Sequence, residues 1–105
     1  MASHRIHREA ARDLLDIGRY TQRRWGVAQR RRYLGDLEER MRFLAENPHS
    51  GAPRGDIREG LRSFLQGGHV IFYLEGAEGV DIVRILHHSM DVLRHFPPEG
   101  EVEDE

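Results

Sequence analysis

The feature that most constrains this chain is a change of period near its middle. Up to Glu46 apolar residues recur every three or four positions, and beyond Asn47-Pro48 they alternate in short runs rich in β-branched and aromatic residues. Over residues 9–25, Ala11, Leu14, Leu15, Gly18 and the pair Tyr20-Thr21 fall at helical spacing, with Arg12, Asp13, Asp16, Arg19 and Arg23 on the other face. Gly26 follows the last periodic residue, where a helix C-cap belongs. Over residues 27–46, Leu34, Leu37, Met41, Leu44 and Ala45 make a second stripe, widened by Ala28, Tyr33 and Phe43. Two helices across one glycine turn predict an antiparallel hairpin, and Trp25 is expected to plug its closed end. Asn47-Pro48 stops the second helix, because proline disfavours helical geometry in the residue before it. Residues 48–53 read as a loop.

Beyond the loop, residues 61–66, 69–75 and 80–86 predict three strands, separated by Gly67-Gly68 and by Gly76-Ala77-Glu78-Gly79. They form an antiparallel meander. Its helix-facing side is expected to be Val70, Phe72 and Leu74 with Ile82 or Val83, although the opposite face remains open as an alternative. Residues 5–7 hold Ile6 between polar neighbours and offer a further strand. Ser89 is a candidate N-cap for a short helix over residues 90–95, stopped by Pro97-Pro98. The fold class expected is therefore α+β, an N-terminal helical hairpin packed on a small antiparallel β-sheet, with a short C-terminal helix. Residues 1–98 are expected to be a single domain, and residues 99–105, mostly acidic, a disordered tail.

Composition narrows the chemistry. There is no cysteine, which removes disulfides, thiolate metal sites and thiol nucleophiles. No apolar run approaches the ~20 residues of a membrane helix, and no signal-peptide core is present, so a cytoplasmic location without membrane attachment is expected. Every basic residue is arginine; fourteen of the sixteen lie before Ser63, where nine acids accompany them, and two lie after it, against nine acids. Arginine alone suits planar, bidentate contacts to carboxylate or phosphate, and biased genomic base composition produces the same usage; both explanations stay open. Arg23-Arg24 and Arg30-Arg31-Arg32 flank the hairpin turn. They read either as a surface for nucleic acid or an acidic partner, or as a solvated face balanced by Glu38 and Glu39.

Several strings, in order along residues 6–91, resemble the ParE branch of the RelE/ParE toxin superfamily. They are Ala11-Arg12-Asp13-Leu14-Leu15-Asp16-Ile17 with Tyr20 and Trp25-Gly26, Leu44-Ala45-Glu46-Asn47-Pro48 with Gly51, and Asp56-Ile57-Arg58-Glu59-Gly60-Leu61-Arg62-Ser63-Phe64. His69-Val70-Ile71-Phe72-Tyr73 follows, and the most specific string is Val83-Arg84-Ile85-Leu86-His87-His88-Ser89-Met90-Asp91. The resemblance implies the toxin of a type II toxin–antitoxin module, bound in a hetero-oligomer by a ParD-like antitoxin. That antitoxin's ribbon-helix-helix domain would make the contact with operator DNA. It further implies DNA gyrase as target and growth arrest as outcome. Antitoxin contacts are expected at Leu14, Ile17, Tyr20, Arg31, Leu34 and Arg62, and target contacts at Met90, Asp91, Val92, Leu93 and Phe96.

The alternative is the RelE-type activity, ribosome-dependent cleavage of mRNA, which needs proton donors and acceptors and cations near the scissile phosphate. Arg62, Arg84 and His87 are then the catalytic candidates, Arg62 holding phosphate and His87 titrating near neutrality. Against it, residues 90–98 contain neither Tyr nor Lys, and the acidic tail repels RNA. Under the toxin reading these arginines are instead partnered by carboxylates such as Asp81 or Asp91, or by the antitoxin. No catalytic residue, metal or cofactor is expected, since His4-x-x-His7 and His87-His88 lack the spacing of zinc-binding pairs.

Overall fold

The computed structural model describes residues 2–96; the Pro97-Pro98 stop and the acidic tail lie outside the described residues. The elements are β1 (Ser3–Ile6), α1 (Arg8–Trp25), α2 (Val27–Glu46), a 3-10 turn (Pro48–Ser50), β2 (Ala52–Pro53), β3 (Arg62–Gln66), β4 (His69–Gly76), β5 (Gly79–His87) and a second 3-10 turn (Val92–His95). The strands form one sheet in the order β1-β5-β4-β3-β2. It is mixed rather than purely antiparallel. β3, β4 and β5 are the expected meander, but β1 runs parallel to β5, pairing Ser3 with Gly79 through Ile6 with Ile82. Parallel neighbours need a long crossover, and here everything from α1 to β4 supplies it. β2, inside the expected loop, pairs Ala52 and Pro53 with Ser63 and Arg62.

A single residue joins the helices. Gly26 sits at φ 97°, donates its N–H to the Gln22 carbonyl, and accepts the Arg30 N–H that starts α2. On α2 the buried residues Leu37, Met41, Leu44 and Ala45 are those of the expected stripe. On α1 the stripe is rotated: Ala10, Ile17, Gly18 and Thr21 are buried, while Ala11, Leu15 and Tyr20 face water. Two local facts explain the rotation. A Cβ on Gly18 would stand 2.9 Å from Arg30 Nε and 3.1 Å from Leu34 Cδ1, so side chains of α2 pack directly over its backbone. Thr21 bonds its hydroxyl back to the Ile17 carbonyl at 2.7 Å and so behaves as an apolar residue.

The helices cover Ile71, Tyr73, Val80, Ile82 and Ile85. Phe72, with Val70 and Leu74, faces the other way, correcting the expected orientation of β4. That second face packs Phe72, Val83 and Leu86 against Leu61 and Phe96, with Ile57 and Val92 alongside. A β-bulge sits between: Phe72 opposes Arg84 and Tyr73 opposes Ile82, leaving Val83 as the extra residue, so that Ile82 and Ile85 point to the same side. Only Gly67 of the first hairpin loop has positive φ, 61°, the type II′ pattern. The second loop is only Ala77-Glu78, since Gly76 and Gly79 are strand residues. The C-terminal helix is reduced to a 3-10 turn capped by Asp91, whose carboxylate accepts the Leu93 N–H; Ser89, the expected cap, bonds His87 instead.

Candidate functional site

At the tip of the hairpin a cleft of about 300 Å³ lies between the helices and the end of the sheet. The last turns of α1 bring Tyr20, Thr21 and Trp25; α2 brings Gln29 and Tyr33; the β3–β4 turn and the end of β5 bring Gly68, His69 and His87. Past Tyr20 the surface continues as a trough of about 510 Å³, lined by Asp16, Ile17, Arg19, Arg23 and Met90 and sharing Tyr20, His69 and His87 with the cleft. Tyr20 is 52% exposed and Trp25 61%, edge to face at 6.1 Å, with the Arg24 guanidinium 5.6 Å from the Trp25 ring. Trp25 is thus not the expected plug. The one-glycine turn closes the hairpin by itself and leaves the indole in water.

The inner wall of the cleft is a polar cluster fixed in place. The Tyr33 hydroxyl lies 2.6 Å from His69 Nδ1, accepts the Gly68 N–H at 3.2 Å and reaches the Gln66 carbonyl at 3.2 Å. Gly67 must be glycine twice over, for its positive φ and because a Cβ there would stand 2.7 Å from the Tyr33 ring. His69 meets His87 edge-on at 5.3 Å, His87 stacks on His88 at 4.5 Å, and His87 Nδ1 is 2.7 Å from Ser89 Oγ. Burial, then the neighbouring His87 and His88, pushes the His69 pKa down to about 4, so the ring is neutral near pH 7, with its Nδ1 in hydrogen-bond contact with the Tyr33 hydroxyl. Burial raises the Tyr33 pKa.

The three nuclease candidates do not come together. Arg62 donates to the carbonyls of Gly51 at 2.7 Å and His49 at 3.4 Å. Arg84 forms a bidentate pair with Asp13 at 2.8 and 2.9 Å, and the same carboxylate accepts the Ile85 N–H. That pairing raises the Arg84 pKa. The partner of Arg84 is therefore Asp13 on α1, not Asp81 or Asp91; Asp81 faces Arg5 at 3.4 Å. Only His87 lines the cleft. Arg62 opposes Tyr73 and His87 opposes His69, four residues apart on β4, a separation of roughly 13 Å along the strand.

Among the expected antitoxin contacts, Tyr20 and Arg31 are exposed, Leu14 and Leu34 are half-buried against the core, and Ile17 belongs to it. Arg31 and Leu34 share a groove of about 560 Å³ with Gln22, Val27, Arg30, Gly35 and Glu38. Glu38 pairs with Arg42 rather than balancing the arginine cluster. Among the expected target contacts, Met90, Asp91 and Leu93 are exposed and Val92 is half-buried. Phe96, at 5% exposure, is a core residue seated 5.2 Å from Phe72 under Arg58. Sequence reasoning missed Tyr33 and His69 as site residues. The signal was the Gly-Gly turn, which fixes a hairpin register and sets His69 beside whatever the third strand carries at His87.

Among the described residues no helix is long and apolar enough to cross a membrane. The family model described as ParE toxin of type II toxin-antitoxin system, parDE, matches residues 5–92. Toxin ParE1 of Caulobacter vibrioides is 40% identical over 96 residues, 91% of this chain and 99% of that protein. Toxin ParE1 of Mycobacterium tuberculosis is 40% identical over 84 residues, covering 79% and 86%, and Toxin ParE of Escherichia coli 36% over 94, covering 89% and 91%. A solved structure titled Chromosomal ParDE TA system from P. aeruginosa superposes with a TM-score of 0.71 over 83% of this chain and 96% of its own, at 22% identity, a likeness of fold. The matched region runs from β1 through both helices and the whole meander to the start of the last turn, so it takes in every element that builds the cleft, and on that ground the chain belongs to the ParE toxin family of type II toxin–antitoxin systems.

Proposed function

We propose that this toxin acts by gripping other proteins and not by catalysing a reaction. A ParD-like antitoxin holds it inactive in a hetero-oligomer in the cytoplasm, and operator DNA is reached only through the antitoxin's ribbon-helix-helix domain. DNA gyrase is the target, and its inhibition arrests growth. One observation carries this reading: large apolar side chains, Tyr20, Trp25 and Val27 at the hairpin tip and Met90 and Leu93 beyond β5, stand in water, while Arg62 and Arg84 are committed to backbone carbonyls and to Asp13.

In this reading Tyr20 and Arg31 touch the antitoxin directly and Leu14 and Leu34 floor its groove. Ile17 backs them from within the core, and Arg62 lies at the margin of the contact. Met90, Asp91 and Leu93 face the target, while Val92 and Phe96 hold that segment against the sheet. The test is to express the chain with and without the small gene beside its own while following growth and plasmid supercoiling. Growth arrest relieved by the neighbour, with lost supercoiling by purified gyrase, is the expected result, and Arg62→Ala with His87→Ala leaves toxicity intact. Intact supercoiling together with cut messenger RNA on the ribosome overturns the proposal in favour of the RelE-type nuclease.

A further inference from the structure

The cleft at the hairpin tip is shaped for something narrower than a flat protein contact. Its walls are planar rings, Tyr20, Trp25, Tyr33, His69 and His87, and its remaining lining, Thr21, Gly68 and Gln29, is short or flexible. At about 300 Å³ it lies at the small end of ligand pockets, the size of one large side chain rather than a cofactor. Charge is distributed in two zones. Inside the cleft no arginine or carboxylate appears, whereas the adjoining trough carries Arg19 and Arg23 against the single acid Asp16, and Arg24 lies over Trp25. An uncharged interior inside a cationic rim selects an apolar ring whose neighbours in sequence are acidic.

We infer that this cleft is an anchor socket for one aromatic side chain of an acidic segment of the antitoxin. The inference rests on the antitoxin reading above and names the chemistry of its contact. Two exposed rings already 6.1 Å apart and edge to face leave an incoming ring the offset and edge-on arrangements that aromatic clusters favour. The wall is also set before binding, because the Tyr33 hydroxyl is tied to His69, Gly68 and Gln66, so little ordering is needed when the ring enters. His69, held neutral by burial, adds no charge to the inner wall. Buried aromatic anchors in preformed pockets are where interface energy concentrates, with rim charges speeding encounter.

The socket can be filled without disturbing the fold. A Cβ on Gly68 meets nothing closer than 3.7 Å, at His87 Nε2, and its φ is not positive, so Gly68→Leu places a side chain in the cleft while the backbone N–H still reaches Tyr33. Trp25 is the only tryptophan and stands at the mouth, which makes it a reporter. With Trp25 replaced biosynthetically by fluorotryptophan, fluorine NMR is recorded on the full chain alone and with the protein encoded by the neighbouring gene, and affinities are measured by calorimetry. The expected result is a shifted Trp25 resonance, protected from solvent, and at least tenfold weaker binding by Gly68→Leu and by Tyr20→Ala with unchanged melting temperatures. If both variants bind as tightly as wild type and the resonance does not move, the socket is refuted while the antitoxin reading stands. If wild type does not bind that protein at all, the antitoxin reading falls and the socket with it. A resonance that shifts with this chain's own concentration instead assigns the cleft to a second copy and overturns the proposal.

Discussion

Arg84 shows how a residue's surroundings decide its role. Its guanidinium is 17% exposed and the Asp13 carboxylate 12%, and between them they use both forks of the pair and the Ile85 N–H. Removing one member of such a pair strands the other in a site it cannot leave, a cost of about 3–5 kcal/mol when burial is complete. With some water access here, Asp13→Ala is expected to lower unfolding stability by roughly 2–3 kcal/mol, read from urea titration, and Asp13→Leu combined with Arg84→Met to recover part of it. Nothing in the sequence announces the pair, because its members are 71 residues apart and each has nearer, misleading candidates. His69 gives a second expectation. Its folded pKa, near 4, lies below the unfolded value of 6.5, so between those pH values the unfolded chain binds more protons than the folded one. The stabilisation is full above pH 6.5 and is lost as pH falls toward 4. Partial solvent access holds it to roughly 1–2 kcal/mol, and a plot of melting temperature against pH should flatten in that window for His69→Gln.

Elements differ in how openly the sequence displays them. The two helices were legible almost to the residue, because Gly26 and Asn47-Pro48 punctuate stripes whose burial on α2 needs no partner to predict. The faces of the strands were not. Val70 to Leu74 is apolar on both sides because the sheet is covered on both sides, which erases the alternation that would have named a face. The bulge at Val83 then reverses phase within β5, and only the pairing with β4 exposes it. The cleft was half-readable for the same reason: Tyr20 and His87 were noticed, but their meeting with Tyr33 and His69 depends on strand register and on the bulge. The closing segment is a 3-10 turn with no fully buried residue of its own, ended by Phe96, the core residue that follows it. Phe96→Ala should therefore cost about 3 kcal/mol, as core aromatic truncations do, and bare Phe72, Val83 and Leu86, detected as raised binding of an apolar dye. Helix content, read by circular dichroism, should stay unchanged.

For the molecule as a whole, the uneven placement of arginine matters more than the net charge of −2. Both helices and the loop after them hold most of the cations, and on this surface lie the grooves proposed for the antitoxin. Association governed by such a field should slow by about tenfold between low and physiological salt while the dissociation rate stays nearly constant, measurable by stopped-flow mixing with the neighbour-encoded protein. A salt-independent association rate would mean that the arginines are only a solvated coat. The partnership of β1 with β5 has a separate outcome for synthesis. Ser3 must await Gly79 before it can settle, so the ribosome has to release both helices and most of the meander before β1 finds its place. A product that stops short of β5 therefore leaves β1 without its neighbour, and the surfaces proposed for the partners come together only once β5 has been made.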